Sequence, residues 1–311
     1  MRYATAIISI AVLFVMTMTA FALQDSSGKE SKSFSVKEKT DKPAKQADLS
    51  PEYQQIFDKA LNQFDAKDYD ESIQLLTKVI IAYPDYILAY KTRGLAFMEK
   101  GKITKSRIDN KTDATYVESI YEYKSDEVYN RSIYEYQKAV KDFSKIIQLD
   151  PNLDYAYFYR GVSYTQLDYF AMPALDDMNK YIIDFKNETT DAFYYRGTAY
   201  LQRGNLPQAE ADLKKVIDMD PKHADAYASI MRAYDTEFVT TGNYDDAIDY
   251  FGLLVKRYPD NALPWYYRGL AYLQKEDYQK AIADFDKALS INPDYTDARN
   301  MRKEAVRDSY R

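Results

Sequence analysis

The segment from Trp265 to Pro293 recurs in outline along most of the chain, at a spacing of about 34 residues. Its marker residues are Trp265, Gly269, Tyr272, Ala281, Phe285 and Pro293. The small glycine and alanine allow two helices to approach closely, and the proline ends the second helix because it cannot continue one. No single unit of this kind can bury its apolar face, so several units must stack. The sequence therefore predicts an all-α array of helical hairpins.

These markers resemble the signature of the tetratricopeptide repeat (TPR), W-x2-L-G-x2-Y followed by A-x3-F and P. Arg268 stands where the family usually has leucine. The resemblance implies a right-handed superhelical solenoid of helix-turn-helix repeats. We expect about six repeats, followed by a polar capping helix over residues 296–311. The expected repeats are 53–86, 87–153, 154–189, 190–223, 224–261 and 262–295.

The second repeat is interrupted by 33 extra residues, which place an insertion at about 104–135 between its two helices. The helical spacing of Tyr129, Ile133 and Tyr136 predicts that the second helix begins about two turns early. Insertions longer than about 12–15 residues are usually either functional or disordered, and the sequence leaves both open. If the insertion binds a partner, its tyrosines are the candidates, namely Tyr116, Tyr121, Tyr123 and Tyr129.

The first 22 residues have the layout of a secretory signal peptide. Arg2 precedes an apolar run over Ala6–Met16, and Ala20 and Ala22 form an A-x-A cleavage pattern. The alternative is an uncleaved membrane anchor, because the apolar stretch is nearly long enough to span a bilayer. We expect cleavage after Ala22 and a bacterial protein that is periplasmic or secreted, with no remaining membrane span.

Residues 23–52 are rich in lysine, serine and acidic residues and contain few sizeable hydrophobic residues. Such a stretch cannot bury enough apolar surface to offset the entropy lost on ordering. We therefore expect a disordered charged linker. It either holds the repeats away from a membrane or a translocon, or serves as a plain connection.

The composition argues against several classes of function. A formal net charge of -6 does not favour nucleic acid, which selects clustered lysine and arginine. The chain has no cysteine, so thiolate zinc sites and cysteine nucleophiles are excluded. His223 is the only histidine, and it falls in a short loop between two repeats. Because phosphate-binding and metal-binding motifs are also missing, we expect no enzyme, no cofactor and no metal.

Arginine precedes the marker glycine in four repeats, and the same four repeats carry an aspartate in the second helix, three residues beyond the marker alanine or its counterpart. The two repeats without the arginine lack the aspartate as well. A row of arginines could bind anions, but this joint occurrence favours internal bidentate ion pairs between the two helices of each repeat. The predicted pairs are Arg93 with Asp142, Arg160 with Asp177, Arg196 with Asp212, and Arg268 with Asp284.

The resemblance implies that the first helix of each repeat lines a concave groove, mainly through repeat positions 2, 5, 9 and 12. These positions are largely apolar or aromatic, which suits an extended or helical peptide with apolar anchors. Positions 9 and 12 also pack between neighbouring helices, so part of the set would be core instead. The candidate binding residues are Phe57, Lys91, Tyr155, Phe158, Thr165, Tyr194, Leu201, Arg232, Tyr266 and Leu270.

The sequence thus favours a non-enzymatic scaffold or adaptor outside the cytoplasm that binds an unidentified protein or peptide. It resembles exported TPR proteins that help to organise or assemble a cell envelope. The 32 tyrosines leave a second hypothesis, in which exposed tyrosine rings stack on the sugars of a cell-wall glycan.

The ion-pair hypothesis predicts the effect of a single substitution. Asp212→Ala would leave Arg196 without its carboxylate, and should lower the free energy of unfolding by about 3–5 kcal/mol if the pair is buried. Thermal or urea unfolding measures this loss. An unchanged melting temperature would count against the pair.

Overall fold

The computed structural model describes residues 48–109, 127–167, 169–241 and 244–310. Over these residues it contains thirteen α-helices and no strand, which confirms the predicted all-α repeat fold. The predicted signal peptide and nearly all of the predicted linker lie outside the described residues. The chain divides into two compact units, and among the described residues these are 48–203 and 204–310.

The first unit contains three helical hairpins and one further helix. α1 and α2 form the first hairpin, α3 and α4 the second, and α5 and α6 the third, while α7 is the first helix of the fourth expected repeat. α6 widens at its end into a π-helical turn over Lys180–Asp184. The helices are α1 Pro51–Asp65, α2 Tyr69–Ala82, α3 Ile87–Asp109, α4 Glu127–Leu149, α5 Asp154–Thr165, α6 Ala171–Asn179 and α7 Thr190–Gln202.

The second unit ends in a helix with the character predicted for a cap. α13 buries Ala298 and Ala305, and it exposes Arg299, Lys303 and Arg307. This charged outer face lets the stack end in water rather than in an open apolar surface. The helices of this unit are α8 Leu206–Met219, α9 Ala224–Thr241, α10 Asp245–Arg257, α11 Ala262–Gln274, α12 Tyr278–Ile291 and α13 Thr296–Asp308.

Short polar side chains fix the starts of several helices. The Ser50 hydroxyl accepts from the Tyr53 N–H, and Pro51 occupies the first turn of α1. Asp68 caps α2, and Thr189 caps α7. These contacts satisfy backbone N–H groups that have no partner within the helix. The predicted start of the repeats, just after Ser50 and Pro51, therefore coincides with a capped helix end.

Close contact between a glycine and an aromatic ring holds the hairpins together. A Cβ atom placed on Gly94 would lie 2.8 Å from the Phe143 ring, and one on Gly269 would lie 2.7 Å from the Phe285 ring. Both phenylalanines are fully buried. In these two repeats the marker glycine is therefore required because the ring of the second helix occupies the space that a side chain would need.

Both helices of the second repeat continue into the segment 104–135 that we expected to be an insertion, of which residues 110–126 lie outside the described ranges. α3 and α4 have 23 residues each, so both run well into the segment that we expected to be an insertion. The early start of the second helix at Glu127 agrees with the spacing of its aromatic residues. The extension of α3 to Asp109 was not predicted. We call the paired segments 101–109 of α3 and 127–136 of α4 the arm.

The arm is held at its base by close packing and by ion pairs. The Ser132 hydroxyl donates to the Gly101 carbonyl at 3.0 Å, and a Cβ on Gly101 would lie 2.8 Å from the Tyr136 ring. Lys100 Nζ lies 2.6 Å from an Asp70 oxygen of the first repeat and 3.0 Å from a Glu135 oxygen of α4. Of the candidate tyrosines, Tyr116, Tyr121 and Tyr123 lie outside the described residues, and the side chain of Tyr129 is not described.

Three of the four predicted ion pairs are present, and each is bidentate. Arg93 donates to Asp142 through Nε at 2.9 Å and Nη2 at 2.7 Å. Arg160 binds Asp177 at 2.8 and 2.7 Å, and Arg268 binds Asp284 at 2.7 Å through both nitrogens. Arg196 and Asp212 belong to different units, so their pairing stays a prediction.

Each of these arginines in the first unit also reaches the preceding repeat through its remaining nitrogen. Arg93 Nη1 donates to the Thr77 hydroxyl at 3.0 Å, and Arg160 Nη1 donates to the Ser144 hydroxyl at 3.2 Å. Arg196 Nη1 donates to Asn179 Oδ1 at 3.0 Å. The guanidinium therefore bonds the second helix of the previous repeat, and Arg93 and Arg160 also bond the second helix of their own.

The carboxylates of these pairs are costly to bury. Burial raises the pKa of Asp142 and of Asp177, and the hydrogen bonds and positive charge of the paired arginine oppose that rise. A buried carboxylate is tolerated only when such a partner compensates for its lost hydration. The aspartates therefore depend on their arginines, which explains why the two residues occur together.

Gly252 of α10 occupies the place that Thr77, Ser144 and Asn179 hold in the other repeats. A Cβ atom on Gly252 would have Arg268 Nη1 as its nearest neighbour, at 3.8 Å. A hydroxyl carried on that Cβ would come within hydrogen-bond distance of the guanidinium. The interface between α10 and α11 thus lacks a side-chain acceptor that the matching interfaces of the first unit have.

Gly252→Ser should therefore stabilise the second unit. We expect the free energy of unfolding to rise by about 1–2 kcal/mol, from the new hydrogen bond and from the lower flexibility of the unfolded chain. Gly252→Ala is the matched control, and it should gain about 1 kcal/mol from helix propensity alone. Urea unfolding of the three proteins measures both effects. Serine is intrinsically a poorer helix former than alanine, so without the new hydrogen bond the serine variant would be the less stable of the two. A serine variant clearly less stable than the alanine variant would therefore contradict the bond.

Several tyrosines are buried in the cores of the two units. In the first unit, burial and the nearby Glu99 carboxylate raise the pKa of Tyr69 from 10.0 to about 12. In the second unit, burial raises the pKa of Tyr227, Tyr250 and Tyr266 as well. Burial raises the pKa of Tyr234 too, and the hydrogen bond that its hydroxyl donates to Glu210 at 2.6 Å raises it further. The folded state therefore holds these phenols in their neutral form.

This burial predicts a loss of stability at alkaline pH. The unfolded chain releases tyrosine protons near pH 10, whereas folded Tyr69 holds its proton up to about pH 12. Its contribution is fully present below pH 10 and is lost as the pH rises towards 12. Circular dichroism across this window should show unfolding that begins above pH 10. Tyr69→Phe should reduce the pH dependence, whereas Tyr134→Phe, at an exposed tyrosine, should leave it unchanged.

Candidate functional site

Four of the ten predicted groove residues form a half-exposed surface in the first unit. Tyr155 and Phe158 lie one turn apart on α5, and Tyr194 and Leu201 lie two turns apart on α7. α5 and α7 belong to consecutive repeats and pack against each other. We call these four residues the aromatic face. In the first unit, it is the part of the predicted groove whose side chains remain partly open to solvent.

Aromatic contacts hold the aromatic face in place. The Phe158 ring lies 5.0 Å from the Tyr181 ring and 6.1 Å from the Tyr195 ring. Tyr194 meets Tyr195 edge to face, with ring centroids 5.3 Å apart. Offset and edge-to-face pairs of this kind add stability beyond the area that they bury. The exposed edges of these rings are therefore presented by side chains with little freedom to move.

Lys91 lies beneath the aromatic face rather than on it. Its side chain is buried, and its Nζ sits 4.4 Å from the centre of the Tyr155 ring. An ammonium over an aromatic face is attracted by the negative charge of the ring centre. The prediction that Lys91 contacts a partner directly is therefore wrong, because Tyr155 covers the cation.

Thr165 is also buried, and its role is to join two repeats. Its hydroxyl donates to the Val162 carbonyl at 2.7 Å, and its own carbonyl accepts from Gln202 Nε2 of α7 at 2.7 Å. The side chain of the adjacent Gln166 accepts from Lys105 of the arm at 3.0 Å. The turn that follows α5 is thus bonded to α7 on one side and to the arm on the other.

Phe57 and Tyr266 are corrections to the predicted groove, since both are buried. The Phe57 ring meets the Tyr86 ring edge to face at 5.2 Å, and the Tyr266 ring lies 4.8 Å from the Tyr295 ring. Tyr86 and Tyr295 occupy the same closing position of their repeats. An aromatic residue at that closing position covers the aromatic residue of the first helix. The third repeat has no aromatic residue at its closing position after α6, and its Phe158 stays half-exposed.

The remaining groove predictions fall in the second unit. Leu270 is 3% exposed and belongs to the core, so it is not a surface residue. Arg232 is half-buried, and its Nη2 donates to the Ser229 hydroxyl of the same helix at 3.0 Å. Since Tyr266 is covered as well, two of the three residues predicted to line the groove in the second unit are buried in the structure.

The sole histidine caps the start of a helix. His223 Nδ1 accepts from the Ala226 N–H at 3.2 Å, which caps the first turn of α9. Within the described ranges, the structure places no group of three or more histidine, cysteine or acidic side chains where it could hold a metal ion. No helix among the described residues combines the length and the apolar composition that crossing a bilayer requires.

Sequence reasoning missed an exposed apolar cluster in the turn between α5 and α6. Tyr169, Phe170 and Met172 are 94%, 39% and 49% exposed. The available signal was the length of the third repeat, which carries two extra residues, together with apolar residues where a polar turn is usual. We call these three residues the turn patch.

Comparisons with known proteins identify the repeats. Sequence models described as tetratricopeptide repeat match residues 56–86, 190–223 and 236–296. The type IV pilus assembly protein PilF of Pseudomonas aeruginosa is 27% identical over 139 residues, which cover 34% of this chain and 55% of PilF. Anaphase-promoting complex subunit 3 of Schizosaccharomyces pombe is 21% identical over 235 residues, which cover 75% of this chain and 34% of that protein.

Among solved structures, residues 41 to the end of MamA from Desulfovibrio magneticus RS-1 are 14% identical. That match covers 79% of this chain and 98% of the other, with a TM-score of 0.46. The chain spans about half of PilF and about a third of the anaphase-promoting complex subunit.

Proposed function

Because the chain is a tetratricopeptide repeat protein, we propose that it is a non-enzymatic scaffold that binds a protein or peptide on its aromatic face. One observation carries the proposal. Two consecutive first helices leave Phe158 and Tyr194 partly exposed, together with Tyr155 and Leu201 on the same helices, whereas the residues at the position of Phe158 and Tyr194 in the other repeats are buried, namely Phe57, Lys91, Ala228 and Tyr266. Phe57 and Tyr266 show that an aromatic ring at this repeat position can be buried. Phe158 and Tyr194, at the same position, are left partly exposed.

The physical properties of the aromatic face suit recognition of an apolar side chain. Contacts with Tyr181 and Tyr195 already fix its rings, so these side chains lose little additional entropy when a partner binds. Tyrosine and phenylalanine offer a large contact area with few rotatable bonds, and such residues dominate binding energy at interfaces. The partner that fits is an extended or helical segment with one or two apolar anchors.

The proposal includes a place of action outside the cytoplasm of a bacterium. It is supported by the basic start, apolar run and A-x-A pattern of residues 1–22. The relative PilF carries a name that refers to assembly of a type IV pilus, which is an assembly role. We extend to this chain only the class of role, namely organising other proteins of the cell envelope.

The test compares the wild type with a Phe158→Ala, Tyr194→Ala double variant. The matched control is Tyr134→Ala with Tyr310→Ala, which removes two exposed tyrosine rings elsewhere. Immobilised proteins are incubated with envelope extract from the host, and retained proteins are identified by mass spectrometry. A retained partner is then purified, and its Kd for each protein is measured by calorimetry.

We expect the control to bind like the wild type, and the face variant to lose at least about tenfold in affinity, as is usual for central aromatic anchors. Circular dichroism checks that the variant remains folded. Equal affinity of all three proteins would remove the aromatic face from the binding site. If purified cell-wall glycan alone quenched tyrosine fluorescence and raised the melting temperature, the glycan hypothesis would replace this one.

A further inference from the structure

The turn patch exposes more apolar surface than a connecting turn needs. Tyr169 is 94% exposed, and Phe170 and Met172 beside it are 39% and 49% exposed. Together they present on the order of 300 Å² of aromatic and thioether surface. The largest apolar patch on a typical monomeric protein measures roughly 300–600 Å² and is often functional, and the turn patch reaches the lower end of that range.

Tyr169 has the left-handed backbone conformation that this turn also adopts in other repeats, where the residue is polar or glycine. Its φ is +69°, and the matching turns place Lys67, Gly204 and Glu276 at +62°, +73° and +60°. The left-handed conformation is disfavoured for a residue other than glycine, because Cβ comes too close to the following carbonyl oxygen. Glycine fills this place after α7 without that cost. Because the Tyr169 ring is almost wholly in solvent, packing within this chain does not offset the strain.

The patch is supported from below. The Phe170 ring stacks on the Tyr164 ring, with centroids 5.7 Å apart and planes 10° apart. Tyr164 is half-buried and packs on the buried pair Ala174 and Leu175. The base of the patch is therefore fixed by the core of the first unit, and Tyr169 stands beside it.

We propose that the turn patch is a second docking site, which holds an uncharged apolar side chain of a short peptide segment from a partner protein. Stable interfaces between folded proteins bury roughly 800 Å² on each partner, more than twice what the patch offers. The patch is thus too small to hold a second copy of this chain, but it suits one anchor residue. None of its three residues is charged, which favours an aliphatic or aromatic anchor, and the flexible Met172 adapts to its shape.

The test uses Tyr169→Gly in the purified full chain, with random short peptides displayed on phage as the probe. Peptides selected on the wild type should share an aliphatic or aromatic anchor, and should bind Tyr169→Gly at least about tenfold more weakly. Because glycine relieves the backbone, the melting temperature of the variant should stay equal or rise, whereas a structural tyrosine would lower it. Tyr310→Gly, which removes another exposed ring, should bind the peptides normally.

A second variant separates this site from the aromatic face. Peptides that depend on Tyr169 should bind the Phe158→Ala, Tyr194→Ala protein with unchanged affinity. The proposal is overturned if selection yields no peptides, if selected peptides bind Tyr169→Gly as well as the wild type, or if they are lost only on the face variant. It is also overturned if sedimentation shows self-association that Tyr169→Gly abolishes, or if phosphatidylglycerol vesicles bind the wild type and not the variant.

Discussion

The stacking of the repeats depends on a guanidinium shared between helices. Arg93 and Arg160 each bind an aspartate in the second helix of their own repeat, and a hydroxyl in the second helix of the repeat before. A buried ion pair is weak evidence for net stability, since desolvation cancels much of the attraction. Its geometry, however, admits one angle and one register between helices, because the planar fork must meet both acceptors at once. The apolar contacts supply the driving force, and the arginines select the arrangement in which those contacts are made.

Much of this arrangement could be predicted because a repeat protein contains its own internal comparison. Arginine and aspartate appear in the same repeats and are missing from the same repeats, so their contact within a repeat could be inferred from the sequence alone. The link to Thr77 and Ser144 was not visible, because it joins different repeats and requires the stacking geometry. The extension of α3 was missed for another reason. Its last ten residues, Lys100–Asp109, are mostly polar and lack a helical apolar pattern, and contacts such as that of Gly101 with Tyr136 hold them.

The candidate site was predicted only in part. Repeat position gives the direction in which a side chain leaves its helix, but its exposure depends on what the neighbouring repeat places above it. Phe57 and Phe158 hold the same position, yet one is covered by Tyr86 and the other is half-open. The turn patch escaped prediction because the extra residues of the third repeat shift the turn out of the common frame. Fixed repeat positions are enough to predict the helices. The aromatic face and the turn patch depend on contacts between repeats and on extra residues, which the repeat positions do not describe.

The arm also changes how the first unit responds to stress. In a linear array each repeat is stabilised by its own hairpin and by the interfaces with its two neighbours, so unfolding proceeds one repeat at a time when those interfaces are weak. At its base, Lys100 reaches Asp70 of the first repeat, and Lys105 reaches Gln166 of the third. Both interfaces of the second repeat are thereby reinforced by one continuous helix. We therefore expect the first three repeats to unfold more cooperatively than separate hairpins would, because the second repeat is bonded to both of its neighbours.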